Sequence, residues 1–337
     1  MKKLKYMLKR IACLDYRNMF KTISRIAKKT NKKKILIFFD MVKCGIKHQA
    51  GYVDYEFFNM YNLTEAERKT IMTRGRNNHY VAKLNPKEYW HFFDNKDEFN
   101  EKFSNYLNRD WMFLNDDNYK DFEKFIKKHK EIIVKPNNLS CGKGVRKIDV
   151  TKYNNKDLYK ELMSNETFLI EEVAKQHKDV SKLHPASVNT IRIVTLISDY
   201  GIPSVISAVV RIGTNNKIVD NFNNDGVCAM VDLKTGKINS LAINSKGDMF
   251  THHPTTNVKI EGYQIPMWDE ITKMVIEASK VVKEMRLIGW DVCVSDDSPL
   301  LIEANQFPAH DLYQPLFGEK DKIGMVPVFE KAIQKRK

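Results

Sequence analysis

The pattern of residues changes near position 131, and this change constrains the fold more than any other feature of the chain. From there on, short runs of β-branched residues alternate with Asn, Gly and Asp, which predicts β-strands. The predicted strands span residues 131–135, 145–150, 167–173, 189–198, 203–212 and 227–233. One amphipathic helix, over about 267–285, precedes a final strand pair. We therefore expect an α+β fold built mainly on antiparallel sheet.

The part of the chain before this change favours helices. Residues 64–67 have the form of a capping box that opens a helix. Residues 94–108 and 116–130 carry apolar side chains spaced by three and four, which predicts two further helices. A chain of 337 residues is long enough for one large domain or two modest ones.

Two protein classes are excluded by composition. No apolar run approaches the roughly 18 residues that a membrane span requires. The five cysteines are odd in number and widely spaced, which argues against a disulfide framework and indicates a reducing cytoplasm.

Positive charge is concentrated at the start of the chain. Residues 1–34 hold thirteen Lys or Arg against one acid, Asp15, whereas the net charge of the whole chain is +14. The remainder is nearly neutral, so we expect no nucleic-acid partner. Apolar residues recur through the basic segment at roughly helical spacing, at Leu4, Leu8, Ile11, Met19, Ile23 and Ile26. Such a helix can lie on an anionic membrane, or it can pack its apolar stripe on its own domain.

A lysine at the end of one predicted strand is followed by a loop with two glycines. The run 132–136 brings Lys135 to the mouth of this loop, which contains Lys143 between Gly142 and Gly144. Glycines let backbone N–H groups approach an anion closely, so the loop can form a phosphate cradle. A simple hairpin turn is the alternative interpretation.

The final strand pair brings acidic side chains together. If the turn centres near Asp297, Asp291 lies opposite Glu303, and two facing carboxylates repel unless a cation or a proton lies between them. Asn305 projects to the same face as Glu303, because side chains alternate along a strand. A ligand set of oxygen atoms alone favours Mg²⁺ over zinc. The alternative is that Asp291 and Glu303 are ordinary polar residues of a turn and a solvated face.

Two arginines interrupt runs that otherwise predict buried strands. Arg192 lies within the run 189–198, and Arg211 ends the next strand, ahead of a loop that contains Asn221. A buried arginine requires an anion, which can be a phosphate or an internal acid.

The order of these motifs resembles the ATP-grasp superfamily, and within it the sugar-transfer-associated branch. The strings that carry the resemblance are residues 171–177 (EEVAKQH), 187–192 (SVNTIR), 288–292 (IGWDV) and 302–305 (IEAN), and the likeness extends over about 50–318. In that family two α+β subdomains grip ATP, and a carboxylate is phosphorylated to an acylphosphate that an amine then attacks. The resemblance therefore implies a carboxylate–amine ligase that uses ATP and Mg²⁺.

The resemblance also implies roles for individual residues. The residues that would contact ATP or its phosphates are Lys96, Lys135, Ser140, Gly142, Lys143 and Gly144, with the glycine loop closing over the phosphates. Those of the adenine-binding hinge are Glu171, Glu172, Val173 and Ala174, acting largely through the backbone, with Asp179 or His177 near the ribose. The expected Mg²⁺ ligands are Asp291, Glu303 and Asn305, and the phosphoryl group would be held by Arg192, Arg211 and Asn221.

The same resemblance suggests how the chain is divided. We expect a basic arm over 1–34, a mostly helical region over 35–110, a small ATP-grasp subdomain with the glycine loop over 111–175, and a large subdomain with the metal site over 176–337.

The substrate is expected to be a small or lipid-linked sugar, since the branch is associated with surface-polysaccharide synthesis. The amide would join a sugar uronate to an amine or amino acid, or an amino acid to an amino sugar. A cytoplasmic enzyme at the inner face of the membrane would fit such substrates. Two alternatives stay open: an ATP-grasp kinase that phosphorylates a sugar hydroxyl, and a membrane or nucleic-acid adaptor with a degenerate ATP site.

Overall fold

The computed structural model describes residues 14–137, 144–165, 168–215, 222, 226–314 and 322–336. These residues form two compact units. One comprises the chain up to Tyr80 together with Gln314–Val328, and the other comprises Val81–Tyr313 and Phe329–Lys337. No helix within the described ranges has the length and apolar character that crossing a membrane requires.

The first unit is helical. Its helices are α1 (Tyr16–Thr30), α2 (Lys34–His48), α3 (Tyr52–Phe57), α4 (Glu65–Thr70) and the start of α5 (Arg74–Leu84). Helix α1 is capped by Asp15, whose side chain accepts a hydrogen bond from the Asn18 amide. Its apolar stripe, which includes Ile23 and Ile26, is buried in the core of this unit. The described part of the basic segment therefore packs its apolar stripe on its own domain.

The capping box predicted over residues 64–67 is confirmed. The hydroxyl of Thr64 accepts from the Glu67 amide at 3.3 Å, and the Glu67 carboxylate accepts from the Thr64 amide at 2.7 Å. This reciprocal pair satisfies two backbone donors at the start of α4.

The second unit contains two antiparallel sheets and the helices that cover them. The helices are α6 (His91–Asp94), α7 (Lys96–Lys102), α8 (Tyr119–Lys128), α9 (Asn155–Ser164), α10 (Lys178–Leu183), α11 (Trp268–Ala278) and α12 (Val326–Ile333), which begins at the end of the first unit. The smaller sheet has the order β1-β4-β2-β3, from β1 (Trp111–Phe113), β2 (Glu131–Lys135), β3 (Arg146–Asp149) and β4 (Leu169–Glu172).

The larger sheet has the order β11-β10-β5-β6-β7-β8-β9. Its strands are β5 (Ile191–Ile197), β6 (Pro203–Ile212), β7 (Val227–Met230), β8 (Ala242–Asn244), β9 (Met249–Phe250), β10 (Leu287–Val294) and β11 (Pro299–Asn305). The central strands β5 and β10 are buried along their whole length, and Trp290 of β10 packs against Phe93 and Phe103 in the core that also includes α11. All the strand pairs in the described part of the chain are antiparallel, which agrees with the predicted α+β class.

The main difference between the structure and the predicted elements is a set of short strands that were not predicted. Strands β1, β8 and β9 have two or three residues each, too few to show an alternating pattern. Helix α11 ends at Ala278, and its predicted continuation to 285 forms turns that still bury Val282 and Met285.

Candidate active site

The register of the β10–β11 hairpin is as predicted, with Asp291 opposite Glu303. Gly289 lies opposite Asn305, and the pairing shifts by one residue just after Asp291. Side chains alternate along β10, so Trp290 points into the core while Asp291 points to the other face, on the side of Glu303. The predicted oxygen ligands therefore share one face of the sheet.

Asp291 is buried between two arginines. It pairs with Arg192 across the β5–β10 ladder, and Arg211 lies on the same face one strand further on. The guanidinium of Arg192 donates to both carboxylate oxygens, at 2.8 Å for Nη2 to Oδ2, and Nη1 of Arg211 donates to Oδ2 at 3.1 Å. Burial alone would raise the pKa of Asp291, but the two arginines hold it at about 2. Both arginines are thus paired with an internal acid, which was one of the two alternatives. That acid, Asp291, is itself one of the predicted metal ligands.

Glu303 has the opposite electrostatic environment. Its pKa is raised, first because protein atoms surround the carboxyl group and then because the negative charge of Asp291 faces it. The two carboxyl groups share a hydrogen bond, yet Glu303 remains exposed to solvent.

These residues fit a magnesium ion. A divalent cation would remove the repulsion between Asp291 and Glu303, which a shared hydrogen bond only partly relieves. Beside them, Nδ2 of Asn305 is buried and has no hydrogen-bond partner among the residues that the structure describes. Turning this amide by half a rotation would bring its oxygen to the same place, where it can act as a ligand.

On the smaller sheet, Lys135 is held by a buried acid. Its ammonium group lies 2.5 Å from Oε2 of Glu171, whose side chain is only 3% exposed. Lys96 donates to the backbone carbonyls of Pro136 and Asn137, both at 2.9 Å, and so fixes the start of the loop that follows β2. Burial lowers the pKa of Lys96, and the charge of Lys135 lowers it further.

Two residues of this cluster were missed in the sequence. Arg109 donates from Nη2 to Oε1 of Glu171 at 2.9 Å, and Nδ2 of Asn100 donates to the same oxygen at 3.0 Å. The pKa of Glu171 is strongly lowered: burial opposes ionisation, but Arg109 and Lys135 outweigh it. The sequence offered one signal for this role, namely that Arg109 lies just before the apolar triplet Trp111–Phe113.

Arg109 also connects the two sheets. Its Nη1 donates to the carbonyl of Leu301 and its Nη2 to that of Ile302, both on β11 beside Glu303. Lys96 and Glu303 interact electrostatically across the same region. The predicted phosphate-binding lysines and the predicted metal ligands therefore form one site.

The charges of this site are unevenly distributed. Around Glu171, the three cations Lys96, Lys135 and Arg109 face one carboxylate, whereas the two arginines around Asp291 face two carboxyl groups. The excess of positive charge suits a triphosphate on the side of Lys135, and the carboxyl pair suits its metal ion.

The remaining predicted residues are placed as follows. Glu172 ends β4, and its side chain accepts from the Asp110 amide at 3.2 Å, while Val173 and Ala174 follow outside the strand. Asp179 pairs with Lys182 at 2.7 Å, at the start of α10. Gly144 has a φ of 73°, which favours glycine. The predicted residues Ser140, Gly142, Lys143 and Asn221 lie outside the described ranges.

The resemblance assigned Glu171 a role through its backbone. In the structure β4 lies between β1 and β2, so the backbone of Glu171 faces strands on both sides. Its side chain holds Lys135 and Arg109, which is a role that the sequence did not suggest.

Several solved structures share a likeness with the chain. For the ATP-grasp ligase PsnB in complex with a minimal precursor, the identity is 15% and the TM-score 0.41, over 70% of this chain and 64% of that one. For the D-cycloserine synthetase DcsG the values are 10%, 0.44, 77% and 80%. For the D-alanine–D-alanine ligase of Bacillus anthracis they are 12%, 0.42, 72% and 67%. The comparison with curated proteins gave no match.

A family model matches most of the chain. The model described as sugar-transfer associated ATP-grasp matches residues 75–315, well over half of the chain. This match confirms the resemblance noted in the sequence, together with the fold, ATP and Mg²⁺ as cofactors, and an enzyme of the ATP-grasp class. The chain belongs to the sugar-transfer associated ATP-grasp family.

Proposed function

We propose that this protein is an ATP-dependent ligase that joins a carboxylate to an amine. The observation that carries the proposal is the convergence of three groups of side chains at one site. Lys96 and Lys135 offer positive charge to phosphates, Asp291 and Glu303 face each other as metal ligands, and Arg192 lies beside them. Such a site suits phosphoryl transfer.

The reaction has two steps. A carboxylate oxygen of the substrate attacks the γ-phosphorus of ATP, the bond to the bridging oxygen breaks, and ADP leaves. The amine nitrogen then attacks the carbonyl carbon of the acylphosphate, phosphate leaves with the C–O electron pair, and the nitrogen loses a proton. Activation is needed because a carboxylate repels nucleophiles and has no adequate leaving group.

The residues of the chain act by position and charge. Lys135 and Lys96 would orient the phosphates, and Glu171 keeps Lys135 in place. Arg192 and Arg211 would offset charge on the transferring phosphoryl group. Asp291, Glu303 and Asn305 would hold Mg²⁺, which supplies Lewis-acid stabilisation of the phosphate oxygens. No side-chain nucleophile is required, which agrees with the burial of Cys228 and Cys293.

The family description supports a proposal for the substrate class. We propose that the carboxylate belongs to a sugar uronate and the nitrogen to an amine or amino acid, within capsular or surface-polysaccharide synthesis. The sugar would be free or lipid-linked. A cytoplasmic location at the inner face of the membrane, with contact through residues 1–30, belongs to the same proposal.

The test is release of ADP and phosphate from ATP in the presence of a panel of uronates, with and without amino acids, followed by mass spectrometry of the products. We expect turnover that needs both partners and Mg²⁺, and a product heavier by the amine less water. Glu303→Ala should abolish it, whereas Asp297→Ala, in the turn of the same hairpin, should not.

Two results would contradict the proposal. ATP consumption without any amine, with a stable phosphorylated sugar, would indicate a kinase. The absence of Mg²⁺-dependent turnover in the wild type and in Glu303→Ala alike would indicate an adaptor.

A further inference from the structure

Helix α2 of the first unit carries two apolar stripes. One stripe includes Ile37, Met41 and Cys44 and is buried in the core of this unit. The other consists of Ile35, Phe39, Val42 and Ile46, which follow each other at helical spacing. Within the described residues, nothing in the fold of this unit accounts for a second apolar face of α2 that points outward.

This second stripe is strongly exposed. The exposed fractions are 56% for Ile35, 62% for Phe39, 42% for Val42 and 59% for Ile46. Single exposed apolar residues are ordinary, whereas a continuous row of them marks an interaction surface.

The exposed surface continues onto helix α1. Phe20 of α1 is 55% exposed and stacks on Phe38 with ring centroids 6.3 Å apart, and Phe38 contacts Phe39 at 5.5 Å. Leu36, 61% exposed, extends the surface at the start of α2. We define the α1–α2 apolar face by its most exposed members, Phe20, Ile35, Leu36, Phe39, Val42 and Ile46.

The surroundings of this face are strongly basic. Residues 14–48 contain ten Lys or Arg and two acids, Asp15 and Asp40. Asp40 is already engaged by Arg68 at 2.7 Å. Lys43 follows Phe39 by four residues and is exposed on the same side of α2, and Lys33 and Lys34 are exposed at its start.

We propose that the α1–α2 apolar face docks on an anionic lipid surface. An apolar helical face bordered by lysines can lie in the plane of a bilayer, with its apolar side chains among the lipids and its cations at the headgroups. A second copy of the chain is a poorer occupant, because a symmetric contact would bring this cationic surface against itself. The apolar stripe of α1 is buried, so this face would add Phe20 and the outward stripe of α2 to the membrane contact proposed through residues 1–30.

The inference does not depend on the ligase proposal, since vesicle binding needs neither ATP nor turnover. Flotation of the full-length protein with phosphatidylcholine vesicles, and with vesicles that also contain phosphatidylglycerol, measures it directly. We expect binding to the anionic vesicles alone, weakening as salt is added. Ile35→Ser combined with Phe39→Ser should weaken binding to anionic vesicles about tenfold or more, since two apolar side chains that would be partly buried in the bilayer are lost.

The matched control is Tyr153→Ser combined with Met249→Ser, which removes similarly exposed apolar groups from the second unit and should bind as the wild type does. Unchanged unfolding midpoints would show that both variants fold. Equal binding of wild type and of the Ile35/Phe39 variant, equal binding to neutral vesicles, or no binding at all would overturn the proposal. A dimer that the Ile35/Phe39 variant converts to a monomer, with vesicle binding intact, would assign the face to a second copy.

Discussion

Asp291 and Glu303 face each other across one hairpin, yet their pKa values move in opposite directions. Asp291 has Arg192 and Arg211 as partners, which hold its pKa at about 2 despite burial. Glu303 is crowded by protein atoms and faces the charge of Asp291, so its pKa is raised. Of the two acids, Glu303 is therefore the one that most needs a cation.

We expect Glu303→Gln to raise the unfolding midpoint of the metal-free protein while it lowers the ligase rate by about 100-fold or more. A carboxyl group whose folded pKa exceeds its unfolded pKa destabilises the fold once it ionises. This penalty is absent below the unfolded pKa and complete above the folded pKa, so the gain should grow with pH across that window. Thermal unfolding with a chelator over a pH series measures it.

The matched control for this variant is Asp297→Asn, which removes an exposed charge from the turn of the same hairpin. It should change neither the midpoint nor the rate. A lower midpoint for Glu303→Gln at neutral pH would contradict the electrostatic argument.

Glu171→Gln should have the reverse effect on stability. The variant would leave Lys135 and Arg109 buried without their anion, and breaking a buried pair in this way costs about 3–5 kcal/mol. The pKa of Glu171 is lowered in the fold, so its contribution is present above the unfolded pKa and is lost as pH falls through the folded pKa. Urea unfolding at neutral pH measures the difference.

Glu172→Gln is the neighbouring control, since that side chain is partly exposed at the end of β4 and lies outside the cluster of Lys135 and Arg109. It should cost less than about 1 kcal/mol. Equal losses for the two variants would mean that Glu171 does not act through its cations.

At the scale of elements, close packing around the β10–β11 hairpin positions Arg192 beside the predicted metal ligands. Gly289 lies opposite Asn305, and a β-carbon at this position would come within 3.3 Å of both Cδ of Arg192 and Cβ of Pro308. Proline has little freedom to move, so the arginine would have to give way.

We therefore expect Gly289→Ala to lower the ligase rate roughly tenfold, because Arg192 shifts by a few tenths of an ångström within the site. Steady-state rates with saturating ATP measure the effect. Gly45→Ala is the control: its β-carbon would meet the carbonyl of Ala50 at an ordinary 3.5 Å, and it should leave the rate unchanged. An unaltered rate in Gly289→Ala would mean that the position of Arg192 is not critical.

Local pattern was sufficient to predict much of the second unit. Alternation and turn residues gave β2, β5, β6 and the β10–β11 hairpin, whose register placed Asp291 opposite Glu303. The pairing of two strands joined by a short hairpin turn is a local property, so its register can be derived from sequence spacing. The shift of register after Asp291 has no comparable signal.

The contacts between distant segments could not be predicted in this way. Arg109 and Asn100 meet Glu171 more than sixty residues away, and each alone is an ordinary polar residue next to apolar ones. Similarly, the sequence showed a basic amphipathic segment but not which apolar stripe would be buried, since that depends on how α1 and α2 pack. Such choices are made by tertiary packing.

At the scale of the whole molecule, ligand binding should be visible as stability. A ligand that binds only the folded state at about 100 times its dissociation constant stabilises it by about 2.7 kcal/mol. We expect ATP with Mg²⁺ to raise the unfolding midpoint of the wild type clearly, and ATP with a chelator to raise it less.

The Glu303→Gln variant separates the contributions of ATP and metal. It should keep the shift produced by ATP with a chelator, because Lys96 and Lys135 are unaltered, but lose the additional shift from Mg²⁺. Differential scanning fluorimetry measures both. A full Mg²⁺-dependent shift in this variant would place the metal elsewhere.

Arg109 sets a limit on how the second unit can open. Its guanidinium donates hydrogen bonds to the carboxylate of Glu171 on the smaller sheet and to the carbonyls of Leu301 and Ile302 on the larger one. Swinging the sheets apart would break the hydrogen bonds from Arg109 to the carbonyls of β11, so we expect the motions that admit a nucleotide to occur in segments that Arg109 does not hold. The spacing between the lysines that would meet the triphosphate and the acids that would meet its ion would then stay constant through every turnover.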